Sequence, residues 1–75
     1  MNPRLYAWMV HEPDSGWNII GAEIPLLGHI PLVTSIEANA RSSLFERVAQ
    51  MHRQRTGLPV ALVVFHYHSL MENLP

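Results

Sequence analysis

"LYAWMVHEPDSGWNIIGAEI", residues 5–24, decides how this chain folds. Residues 5–11 read as a strand, because Tyr6, Trp8 and Val10 favour extended backbone. The run then breaks at "EPDSGW". Pro13 presets φ for a turn, Asp14 and Ser15 bond to nearby backbone, and Gly16 tolerates positive φ. A second apolar run follows over residues 17–24, so the pattern predicts a β-hairpin with a loop from Pro13 to Gly16. That register pairs Glu12 with Trp17, Val10 with Ile19, Trp8 with Gly21 and Ala7 with Ala22. One face then carries Leu5, Ala7, Met9, Ile20, Ala22 and Ile24. The other carries Tyr6, Trp8, Val10, Trp17 and Ile19, with the Trp8 ring over bare Gly21. A slip of one residue would exchange these sets, so the register determines which residues share a face.

Beyond the hairpin, "PLLGHIPLV" at residues 25–33 contains two prolines and a glycine and reads as an apolar loop. Residues 34–56 read as one long helix. Thr34 and Glu37 have capping-box spacing, and Ile36, Ala40, Leu44, Val48 and Met51 recur as a core stripe. Glu37 and Arg41 are spaced for an i,i+4 ion pair. Gly57 stops the helix and Pro59 prevents its continuation. The apolar run "VALVVF" at residues 60–65 makes a further strand over residues 59–68, greasy on both sides. Residues 69–75 read as a loose tail.

The expected fold is therefore α+β in the order ββαβ: one domain over residues 1–75, with a hairpin at 4–24. Its three-stranded, largely antiparallel sheet carries one long helix on one face. The small residues Ala7 and Ala22 place the helix on their side. Tyr6, Trp8, Val10, Trp17 and Ile19 are then left as an uncovered apolar face, which marks an interface. The simplest cover is a second copy in a twofold homodimer. Size points the same way. A chain of 75 residues with no cysteine buries a small core and has no disulfide to reinforce it.

The residues exclude several chemistries. Without cysteine there is no thiolate zinc site and no thiol nucleophile. The four glycines are scattered and form no phosphate loop. No Gly-x-Ser-x-Gly occurs, and no pair of carboxylates is placed together. The net charge of −1 and arginines spread around the helix argue against a nucleic-acid partner. The longest uncharged run, residues 56–71, is broken by Gly57 and Pro59, so no membrane partner is expected. No secretory signal opens the chain, which makes the cytoplasm the expected location. No cofactor is expected. The competing reading is a metal site, structural or catalytic, using zinc or a similar divalent ion. His66 and His68 are two apart on a strand and share a face, with His11, Glu12 or Glu72 as further ligands.

The segments "LYAWMVHEPDSGWNIIGAEIP" and "RVAQMHRQRTGLPVALVVF", together with the absence of lysine, resemble the small orphan proteins of actinobacteriophages. The resemblance implies an accessory protein of the bacterial host cytoplasm that binds a host protein, and it carries over no catalytic residue. Residues and resemblance together lead to the same expectation: a self-associating, non-enzymatic protein-interaction module.

Overall fold

A computed structural model describes residues 4–66 of the chain. The fold is α+β, with antiparallel strands and one main helix. Strands β1 (Arg4–Glu12), β2 (Gly16–Ile19), β3 (Gly21–Ile24), β4 (Gly28–Pro31) and β5 (Val33–Thr34) precede helices α1 (Glu37–Ala40) and α2 (Ser43–Thr56). Strand β6 (Val60–His66) follows them. Among the described residues the main sheet has four strands rather than the expected three. β1 is its centre. One edge of β1 pairs with β6 at residues 4–10, and the other pairs with β2 at residues 9–12 and with β5 at residues 6–7.

Between β2 and β5 the chain leaves the sheet as a separate two-stranded arm, β3 paired with β4. Three backbone hydrogen bonds form its neck. Ile20 N–H donates to the Trp8 carbonyl at 2.9 Å, Trp8 N–H to Leu32 at 3.0 Å and Leu32 N–H to Ile20 at 2.8 Å. Ile20 and Leu32 are each 2% exposed, so the neck is also part of the core. The expected loop at 25–33 is thus mostly strand. Pro31 lies opposite Gly21 on a ribbon of two strands, where an edge position tolerates a missing N–H.

The hairpin exists, but its register is one residue away from the expected one. Met9 faces Ile19, Val10 faces Asn18, His11 faces Trp17 and Glu12 faces Gly16. Pro13, Asp14 and Ser15 alone make the turn, and Gly16 at φ +80° enters the left-handed conformation that closes three-residue loops. The Asn18 amide fixes this arrangement by donating to Ser15 Oγ at 2.8 Å and to the Gly16 carbonyl at 3.2 Å. Because side chains alternate across a strand, the slip moves Trp17 and Ile19 onto the face of Leu5, Ala7 and Met9. Gly21 is covered by the His29 ring, not by Trp8; a Cβ added there would collide with the imidazole.

The expected single helix over 34–56 is broken at Arg41 and Ser42. Two groups compete for the backbone bonds that a continuous helix would use. The Trp8 indole N–H donates to the Ala40 carbonyl at 2.7 Å, and Ser42 Oγ accepts from Phe45 N–H at 3.4 Å as the cap of α2. Thr34 lies in β5 and its Oγ1 accepts from Ile36 N–H at 3.1 Å, so it caps no helix. The break resets the helical phase. Ala49 is buried and Phe45 and Val48 pack on the core, whereas Leu44 and Met51 are exposed. At the other end Gly57, at φ 72°, donates to the Arg53 carbonyl at 2.8 Å and stops α2 as expected. The Glu37–Arg41 pair also forms, at 3.1 Å.

Both helices lie on the side of the sheet that carries Trp8 and Val10. Val10, Ile20, Leu32 and Ala49 form the core, with Trp8, Phe45, Val48, Leu58 and Val60 around them. The helix therefore covers the opposite face from the one that Ala7 and Ala22 suggested. The small residues that permit close approach are on the helices, Ala40 at 0% and Ala49 at 2% exposure, while the sheet contributes the large ring.

The arm's turn carries a local conflict. Pro25 and Leu26 form its corner, with Leu27 N–H donating to the Ile24 carbonyl at 3.0 Å, and Leu26 has φ 72°. A β-carbon in that region costs about 1–2 kcal/mol. The Leu26 side chain is fully exposed, so no packing offsets the cost. Leu26→Gly should therefore raise stability by about 0.5–1 kcal/mol after its own entropic cost. Thermal denaturation checks this, and a lowered Tm would show that the leucine makes a stabilising contact.

Candidate protein-interaction face

The alternation of β1 and the registers of its neighbours define the sheet face away from the helices. Leu5 lies beside Phe65, Ala7 between Val33 and Val63, Met9 between Ile19 and Ala61, and His11 beside Trp17. None of these residues carries a formal charge with histidine neutral. The His11 and Trp17 rings meet edge to face, with centroids 5.1 Å apart, a favoured aromatic geometry. Leu5 is 49% exposed, Trp17 48%, Ile19 45% and Phe65 44%. Between them Ala7 is 0% exposed and Met9, Val33 and Val63 are half-buried, so the face offers its apolar area as two clusters, Leu5 with Phe65 and Trp17 with Ile19, rather than as the scatter of single leucines normal on a soluble surface.

The five residues expected to form the interface do not share a face. Trp17 and Ile19 lie on the open face. Tyr6, Trp8 and Val10 lie under the helices, where Val10 is 2% exposed and Trp8 is held by its bond to Ala40. Leu5, Met9 and Phe65 take their place on the open side. The signal for this was present in the sequence: Gly16 suits the left-handed closing position of a three-residue loop, and that choice alone reverses Trp17 and Ile19.

No family model, curated protein or solved structure matches this chain.

The histidine pair is seen in part. His66 is exposed, ends β6 and lies opposite Arg4; His68 and Glu72 are outside the described residues. A guanidinium directly across the strand opposes a divalent cation at His66. His11 and Glu12 are at the far end of β1, about 23 Å away at strand rise, so they cannot join His66 in one copy. Among the described residues no group of three potential ligands forms.

One further concavity, about 390 Å³, lies between the arm and α2, lined by Gly21, Ala22, Glu23, His29, Val48, Met51, His52 and Arg55. His29 Nδ1 is 3.2 Å from Glu23 Oε1, and Arg55 Nη2 is 3.3 Å from His52 Nδ1. Both contacts are exposed to solvent. No polar or charged side chain is buried among the described residues, so this hollow holds no desolvated acid, base or nucleophile of the kind that active sites use. No helix among the described residues is long and apolar enough to cross a membrane.

Proposed function

We propose that this chain is a small self-associating protein-interaction module that acts by contact and carries out no chemistry of its own. One observation carries the reading: Leu5, Trp17, Ile19 and Phe65 are each about half exposed on one uncharged sheet face. Burying a large apolar side chain is worth about 1.5–3 kcal/mol, and half-exposed ones retain roughly half of that for an association step. Another copy of the same face is the simplest complement, since two apolar sheets stack about 10 Å apart with interdigitating side chains. The cytoplasm is the proposed location, and a host protein is the further partner implied by the resemblance to actinobacteriophage orphan proteins. Aromatic Trp17 would anchor either contact.

The two tryptophans test this reading, because Trp8 lies under the helices and Trp17 on the open face. The Trp17 contribution is the difference in acrylamide quenching between wild type and Trp17→Phe. It should fall as protein concentration rises from nanomolar to tens of micromolar. Quenching that stays high at every concentration would mean that the face remains in water.

A further inference from the structure

We infer that β6 is a self-pairing edge, joining antiparallel to β6 of a second copy so that two sheets become one. This rests on the self-association reading above and adds the contact that reading lacks. Among the described residues β6 pairs with β1 and with no other strand. His11 N–H donates to the Pro59 carbonyl at 2.9 Å, and the β1–β6 register then runs without a bulge. In an antiparallel ladder alternate residues bond to the same neighbour. Ala61, Val63 and Phe65 therefore face β1, and the N–H and C=O groups of Val60, Leu62, Val64 and His66 point outward.

Natural edge strands are usually blunted by charge, proline, a bulge or short length. Residues 60–66, "VALVVFH", have no charged residue with histidine neutral and no proline, over seven residues. The C-terminal half of the strand is also exposed, at Val64 (43%), Phe65 (44%) and His66. A second β6 fits because the strand is complementary to itself. With Val63 on a twofold axis, Val60 of one copy lies opposite His66 of the other and Leu62 opposite Val64. Every outward group then finds a partner.

Area favours edge pairing over a simple face-to-face dimer. β1 has nine residues, so the open face is about 30 Å long and, three strands wide, about 14 Å across. Two such faces in contact bury about 800 Å², the level of a crystal contact, where stable complexes bury about 1,200–2,000 Å². The twofold for edge pairing is perpendicular to the sheet, so both open faces lie on the same side and form one doubled surface. Two doubled surfaces stacked together bury about 1,600 Å². The assembly is thus four chains: edge-joined pairs, stacked through their open faces.

Sedimentation equilibrium of the full-length chain and two classes of variant tests this. The wild type should give about 34 kDa, four times the 8.5 kDa chain. Val64→Pro removes one outward N–H without touching the β1 ladder and should give single chains, because the halved face is too small to hold. Val64→Lys, a gentler block of the same edge, should do the same, with an unchanged circular dichroism spectrum showing that the fold survives. Ile19→Lys should leave the edge-joined pair at about 17 kDa. Wild-type mass in both Val64 variants, or a wild type of single chains, overturns the edge contact. Dissociation to single chains in Ile19→Lys together with wild-type mass in the Val64 variants would reject the edge and keep the face. Wild-type mass in Ile19→Lys with dissociation in the Val64 variants would do the reverse.

Discussion

Trp8→Ala should destabilise the chain by about 3 kcal/mol, the lower end of the range for removing a packed tryptophan because the ring is half-buried. A domain of this length has only about 4–11 kcal/mol in total, so the variant should keep a clearly smaller margin and melt about 12–24 °C below the wild type. Three losses coincide at this position. The ring leaves the space above the core formed by Val10, Ile20, Leu32 and Ala49. The Ala40 carbonyl loses its 2.7 Å indole donor. The neck of the arm loses the side chain that packs above it, since Trp8 also exchanges backbone bonds with Ile20 and Leu32. Trp8→Phe separates packing from hydrogen bonding. It keeps most of the ring and should cost about 1–2 kcal/mol, mainly from the Ala40 carbonyl left without its donor. Urea denaturation measures both. Equal costs would mean that the indole N–H contributes everything, and negligible cost for alanine would place Trp8 outside the core.

Ile19→Lys should have the second large effect, on association instead of folding. Ile19 is 45% exposed beside Met9 on the open face. A lysine there has room to extend its amine into water in an isolated chain, so the melting temperature at high dilution should change by no more than a few degrees. In a stacked assembly the same amine would lie between two apolar sheets with no carboxylate on either face, and an unpaired buried charge costs several kcal/mol. A loss of about 3 kcal/mol weakens face-to-face association by about 150-fold. Trp17→Glu, on the same face, should act in the same way. Asp14→Lys, in the exposed hairpin turn, is the matched control and should leave the mass unchanged. If the control dissociates the assembly as strongly, general charge is responsible and the open face is not.

What could be foreseen from the residues follows a physical division. Features determined within a few residues were legible: the existence of the first hairpin, the Gly57 stop, the Glu37–Arg41 pair and the apolar strand at 60–66. Each rests on local backbone chemistry. Features that depend on competition between distant groups were not. The helix breaks at Ser42 because the Trp8 indole, 32 positions before Ala40, occupies the Ala40 carbonyl at the end of α1. Prolines 25 and 31 suggested a loop, yet Pro25 lies in the turn of the arm and Pro31 in its two-stranded ribbon, where a missing donor is tolerated. The hairpin register turned on one residue, Gly16. Its shift exchanged the two faces of β2 and with them the identity of the exposed residues. The deficit itself was legible: one helical layer covers one side of a sheet that is apolar on both. Which side stays open depended on where Trp8 could satisfy its N–H.

Sedimentation equilibrium of the wild-type chain over a dilution series, from tens of micromolar to nanomolar, is the most direct check that the bare sheet face is covered by other copies. Molecules several times heavier than the 8.5 kDa chain at the high end, dissociating on dilution, are the expected outcome. A constant mass of one chain across the whole series would show that Leu5, Trp17, Ile19 and Phe65 remain in water, and that this face has another purpose.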